Sequence, residues 1–117
     1  DLISAPVGEA SAPVAGRVAA ARERQRARFA ALAVPHLRTN AEADGDILEQ
    51  IAAPDAAGTE LLRQAADRMR LSARGFHRVL RVARTLADLA GREKVTRVDI
   101  AEALSYRQTM GDVAAAA

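Results

Sequence analysis

The 117-residue chain contains no cysteine and no tryptophan, and only one tyrosine and two phenylalanines. Without cysteine there is no disulfide frame and no thiolate zinc site, which suits a cytoplasmic protein. Half of the residues are apolar, but many of these are alanine and only 3% of the chain is aromatic. That balance favours close-packed helices over a β-sandwich or barrel. No apolar run approaches the ~20 residues of a membrane span, so no membrane partner is expected. The start, Asp1 to Pro6, lacks both an initiator methionine and a positive n-region. It is not a signal peptide, and the chain is expected to be a piece of something longer. At this length one domain with a modest core is expected.

Lysine is nearly absent too: sixteen arginines stand against Lys94 alone. The net charge is only +2, but the charges are segregated. Residues 17–38 carry six arginines against Glu23, residues 42–55 carry five acids and no base, and residues 63–84 carry seven arginines against Asp67. Such arginine use has two readings, recognition of phosphate or carboxylate by the guanidinium fork or the codon bias of a GC-rich genome.

The best-marked segment is 71–91. Ser72 is placed to cap a helix, Leu71 and Phe76 have the spacing of a hydrophobic staple, and Gly91 follows the last periodic residue. About 100° per residue puts Phe76, Val79, Leu80, Val82, Ala83, Leu86, Ala87, Leu89 and Ala90 on one broad arc. Arg74, His77, Arg78, Arg81, Arg84, Thr85 and Asp88 fall on the other. Arg74 lies two residues past the cap, where free N–H groups and the positive helix end already favour an anion.

Around this helix the chain reads as a bundle. Residues 1–12 lack periodicity and are expected to form an extended connector. A long helix is expected from Pro13 to Pro35, with Val14, Val18, Ala21, Gln25, Phe29 and Leu32 in one stripe and Gln25 its weak point. A short helix over 46–53, capped by Asp46, buries Ile47, Leu48 and Ile51. A third runs from Asp55 to about Met69, with Gly58 in its first turn allowing a start nearer Thr59. Thr96 with Asp99, and Val95 with Ile100, mark the start of a last helix to about Arg107. Residues 108–117 are expected to be a flexible tail. The expected fold is all-α, a compact bundle of four to five helices. Its core is Leu61, Leu62, Phe76, Val79, Leu80, Ala83, Leu86, Ile100 and Leu104.

The string Leu71-Ser72-Ala73-Arg74, with His77-Arg78 and Leu80-Arg81-Val82-Ala83-Arg84-Thr85, resembles the C-terminal domain of the magnesium-chelatase-like AAA+ ATPases, ComM group. Ser4-Ala5-Pro6, Arg22-Glu23-Arg24-Gln25, Asn40 and the stretch Val95 to Arg107 agree with it, while the acidic loop 41–56 departs from it. The resemblance implies a helical lid, residues 13–107, that follows an AAA+ core domain of the same chain. Arg74 then falls at the sensor-2 position, reaching the phosphates of ATP whose Mg is supplied by the core. It further implies an ATP-hydrolysing parent assembled as a homo-oligomeric ring, a hexamer, acting on DNA branches or on porphyrin; the closest likeness favours DNA. The chain itself has no Gly-x-x-x-x-Gly-Lys-Ser/Thr loop, so no ATP hydrolysis is expected from it alone.

Three readings compete for Arg78, Arg81 and Arg84. They could pair with acids such as Asp55 or Asp67, dock on the core or a neighbouring subunit, or bind nucleic-acid phosphates together with Arg22 and Arg24. In the last case residues 59–90 form a helix-turn-helix DNA-binding module, the main alternative to a lid. His77 reads as a solvated or inter-helix histidine. His36 has no role, and two distant histidines make no zinc site.

Overall fold

A computed structural model describes the backbone of residues 4–116 and the side chains of residues 12–106. Five helices follow one another: α1 (Ser4–Ala31), α2 (Gly45–Ile51), α3 (Ala56–Arg68), α4 (Ala73–Leu89) and α5 (Arg97–Ala116). A single 3-10 turn at Asn40–Glu42 interrupts the loop between α1 and α2. The fold is all-α, and among the described residues there is no strand, only a bridge between Pro54 and Val95.

Helix α4 is the hub, packing against α1, α2, the 3-10 turn and α5, while α3 packs on α5. Its start is the one the sequence announces: Ser72 Oγ accepts from Gly75 N at 3.1 Å. Leu71 and Phe76 lie half-buried against the core. Leu62, Val79, Leu80, Ala83 and Ile100 are fully buried, with Leu61, Phe76, Leu86 and Leu104 packed around them. Phe29 of α1 and Leu48 and Ile51 of α2 complete the interior. The α5 start also follows its pattern, with Thr96 N donating to Asp99 Oδ2 at 2.9 Å and Val95 and Ile100 fully buried.

Three helix boundaries differ from expectation. Helix α1 begins at Ser4 rather than Pro13, so residues 4–12 are helix and not an extended connector. The helix runs through Pro13, an interior proline that removes one backbone donor and crowds the carbonyl four residues before it. Residues 12–17 are nonetheless exposed, including Val14, and the packed stripe begins at Val18. Helix α2 is capped by Asp44, whose carboxylate accepts from Gly45 N, and not by Asp46. At the other end α5 continues through Ala116 rather than stopping near Arg107, since nothing in its alanine-rich end forbids helix. Residues 1–3 and 117 lie outside the described residues.

Three helices end in the same left-handed turn. Val34 N bonds to Phe29 O, Leu71 N to Ala66 O and Arg92 N to Ala87 O, each reaching back across the last turn. The left-handed residues are Ala33 (φ 61°), Arg70 (φ 50°) and Gly91 (φ 76°). Only Gly91 occupies this region at no steric cost, so the pattern of glycines alone marks one of the three stops. Gly58 is fixed for another reason. A Cβ there would meet Asp55 Oδ1 and Pro54 Cβ, both at 2.9 Å, just where Asp55 Oδ1 caps α3 by accepting from Gly58 N at 2.7 Å.

Opposite outcomes are therefore expected from two exchanges between alanine and glycine, read by urea unfolding. Ala33→Gly relieves a strained residue and raises stability by about 0.5–1 kcal/mol. Gly58→Ala, despite its better helix propensity, lowers stability by about 1–2 kcal/mol, because the cap of α3 must open.

Candidate functional site

The polar arc of α4 divides into a buried half and an open half. The buried half centres on Asp88, which is 0% exposed. Its carboxylate accepts from Arg28 Nη1 (3.1 Å) and Nη2 (2.5 Å) and from Asn40 Nδ2 (2.9 Å), and it forms an ion pair with Arg84 Nη2 (3.0 Å). Each carboxylate oxygen thus has two nitrogen donor groups against it, three of the four contacts being hydrogen bonds. Asn40 is itself held by Gln25, whose Oε1 accepts Asn40 N at 2.9 Å. Gln25 breaks the apolar stripe of α1 because it serves this buried loop.

Arg84 is 2% exposed. Its Nη1 donates to the carbonyls of Ile51 and Glu93, and its Nη2 to the carbonyl of Arg92. One guanidinium thus satisfies the free carbonyl at the end of α2 and two in the α4–α5 connection. Burial pulls the Arg84 pKa below the usual arginine range, and the neighbouring Asp88 opposes that shift. Arg84 is accordingly an internal clamp, with no face left for DNA or another subunit.

Arg81 is half-buried and donates from Nε to Ala43 O (2.9 Å) and from Nη2 to Asp44 Oδ1 (3.2 Å). The acids that meet these arginines are Asp44 and Asp88, rather than Asp55, which caps α3, or Asp67. His77 lies between helices: Nδ1 is 3.3 Å from Asp44 Oδ1 and Nε2 is 3.8 Å from Glu49 Oε2. It joins α4 to α2. Arg24, also offered as a surface contact, donates from Nη1 to Asp88 O (3.1 Å) at the end of α4.

The open half is Arg74 and Arg78. Both are exposed, and neither has a hydrogen-bond or ion-pair partner among the described residues. The same holds for Arg22 on α1. At the start of α4, Gly75 N goes to Ser72 Oγ and Phe76 N to Ser72 O. The N–H groups of Ala73 and Arg74 find no acceptor among the described residues. The site residues offered by the sequence are therefore not one patch. Arg74 and Arg78 stand in solvent, Arg81 faces the α2 start, Arg84 belongs to the interior network, and Arg24, itself exposed, donates to the Asp88 carbonyl at the edge of that network. What sequence reasoning missed is Asp88 with Arg28 and Asn40. Asn40 and Arg84 stood out within motifs, but nothing local signals that residues 60 and 48 positions apart meet at one carboxylate.

Residues 8–107 match the family described as magnesium chelatase, subunit ChlI C-terminal. The chain belongs to this family. An uncharacterized protein of Mycobacterium tuberculosis is 48% identical over 107 residues, 91% of this chain and 20% of that protein. Competence protein ComM of Haemophilus influenzae is 34% identical over 100 residues, and uncharacterized protein YifB of Escherichia coli 38% identical over 100 residues. Each of these two alignments covers 86% of this chain and 18% of the relative. The chain thus spans about a fifth of the length of the curated relatives it matches. No solved structure matches it. Among the described residues no helix is long and apolar enough to cross a membrane.

The network makes a strong prediction about stability. Asp88→Ala leaves Arg84 buried without its carboxylate and Asn40 without its acceptor. Chemical unfolding should show a loss of about 3–5 kcal/mol. A loss below about 1 kcal/mol would mean that water or another acid replaces Asp88 readily.

Proposed function

We propose that this domain is the helical lid of an AAA+ ATPase of the magnesium-chelatase-like family, and that Arg74 is its sensor-2 residue, contacting the terminal phosphates of ATP bound to a preceding core domain. The observation that carries this reading is the isolation of Arg74. It stands exposed in the first turn of α4 beside unpaired backbone N–H groups, while its neighbours Arg81 and Arg84 on the same helix are held by partners within the domain. Charge, free donors and helix dipole all favour an anion at that point. The rest of α4 is fastened to four other parts of the domain. Loss of the terminal phosphate on hydrolysis would release the bare end of a rigid helix, and the lid would turn as a unit. In a ring of subunits that rotation would pass to the neighbour.

The resemblance of residues 71–91 to the ComM group supports DNA over porphyrin as the client of the whole ATPase. The helix-turn-helix alternative is less well supported. It needs Arg78, Arg81 and Arg84 side by side in solvent, and of these only Arg78 is exposed. ATP, its Mg, the preceding core and the ring belong to this proposal as the machinery that the lid would serve.

The test is steady-state turnover of the full-length ATPase carrying this domain. Arg74→Ala should lower kcat/KM for ATP by about 10–100-fold, the worth of one charge-assisted bond to phosphate. Arg17→Ala, an exposed arginine far along α1, should leave it unchanged. Equal turnover in both variants would remove Arg74 from the nucleotide site.

A further inference from the structure

At the far end of α4 from Arg74, about 26 Å away along its axis, lies a cavity of about 470 Å³ lined by Arg24, Ala27, Arg28, Gly91, Arg92 and Glu93. We infer that this cavity is a second anion site, taking a phosphate or pyrophosphate group between the guanidiniums of Arg24 and Arg92 with Arg28 behind them. The group would come from a nucleotide or from a nucleic-acid backbone. The inference stands apart from the role of Arg74, since the distance forbids one phosphate from meeting both.

Three observations lead to it. The first is unbalanced charge. Arg24, Arg28, Arg84 and Arg92 surround two carboxylates, with Asp88 shared by Arg28 and Arg84 and Asp99 paired with Arg92. Arg24 has only a carbonyl for its partner, and although Glu93, a third carboxylate, also lines the cavity and forms no described ion pair, the four arginines still exceed the acids by one. Arginines one turn apart, such as Arg24 and Arg28, repel each other on a helix, and a dianion in the cavity would relieve this.

The second observation is unspent donors. Arg24 uses only Nη1, Arg28 only Nη1 and Nη2, and Arg92 only Nη2. The remaining guanidinium N–H groups have no partner among the described residues. Forked donors of this kind match phosphate oxygens.

The third is space. Gly91 lines the cavity without a side chain, and Arg24 Nη2 lies 3.4 Å from where a Cβ would stand, an ordinary contact distance. A helix C-terminus ordinarily repels anions. Here the Asp88 carbonyl already accepts from Gly91 N and Arg24, and that of Ala87 from Arg92 N, which masks the last turn.

The experiment is thermal melting of the chain in sodium pyrophosphate against sodium chloride of equal ionic strength. Pyrophosphate should raise the midpoint by at least about 2 °C over chloride. The double variant Arg24→Gln/Arg92→Gln should lose most of that rise, Arg24→Lys/Arg92→Lys should keep part of it, and Arg17→Ala, outside both anion sites, should keep all of it. If the glutamine double variant gives no cooperative melt, Arg92→Gln alone decides, and it should at least halve the rise. No rise beyond chloride, an undiminished rise in the glutamine variants, or a rise abolished by Arg74→Ala alone would each overturn the inference. Titration with Mg-free ATP and with a short DNA duplex then separates the sources. The ligand whose affinity falls about 10-fold in the glutamine variant is the one the site takes, and unchanged affinity for both would overturn it as well.

Discussion

The Asp88 carboxylate is the point on which the fold turns. Four donors reach it from α1, the 3-10 turn and α4 itself, and through Arg84 it is connected to the end of α2 and the start of the α4–α5 link. A buried charge is costly unless paired and hydrogen-bonded, and this one is both. The same pairing lets Arg84 sit in the interior, where its guanidinium does for three backbone carbonyls what no apolar side chain could. The alanines at 43, 52, 83 and 87, all 0% exposed, leave room for this network by letting backbones approach closely.

This arrangement makes the two ends of α4 unlike. Near its C-terminus the helix is enclosed by arginines that have structural work. At its N-terminus only a serine cap and a staple hold it, and Arg74 stands bare. A helix tied along its length and open at one end suits a part that responds to an anion supplied from outside the domain, as a lid over a nucleotide would. The long α1 extends the other way, with residues 12–17 exposed and packing starting only at Val18.

Much of this was legible in the sequence because the signals are local. The cap at Ser72, the pairing of Thr96 with Asp99, the staples of α4 and α5, and the left-handed stop at Gly91 each depend on residues within one turn of each other. The turns at Ala33 and Arg70 were not legible, since neither residue favours positive φ and tertiary packing imposes it. The cap of α2 was displaced for a related reason: Asp44 and Asp46 are equally able caps, and the bond from Arg81, with His77 Nδ1 3.3 Å away, selects Asp44.

The sequence by itself determined the helical class, the family and the placement of Arg74 at a helix start, because periodicity, capping and motif spacing are properties of neighbouring residues. Only the tertiary structure decided which arginines are free. A polar arc on a helix wheel looks the same whether it faces water or a buried carboxylate. Arg84 and Asp88 are drawn inward by Arg28 and Asn40, partners brought close by folding and separated in sequence by dozens of residues.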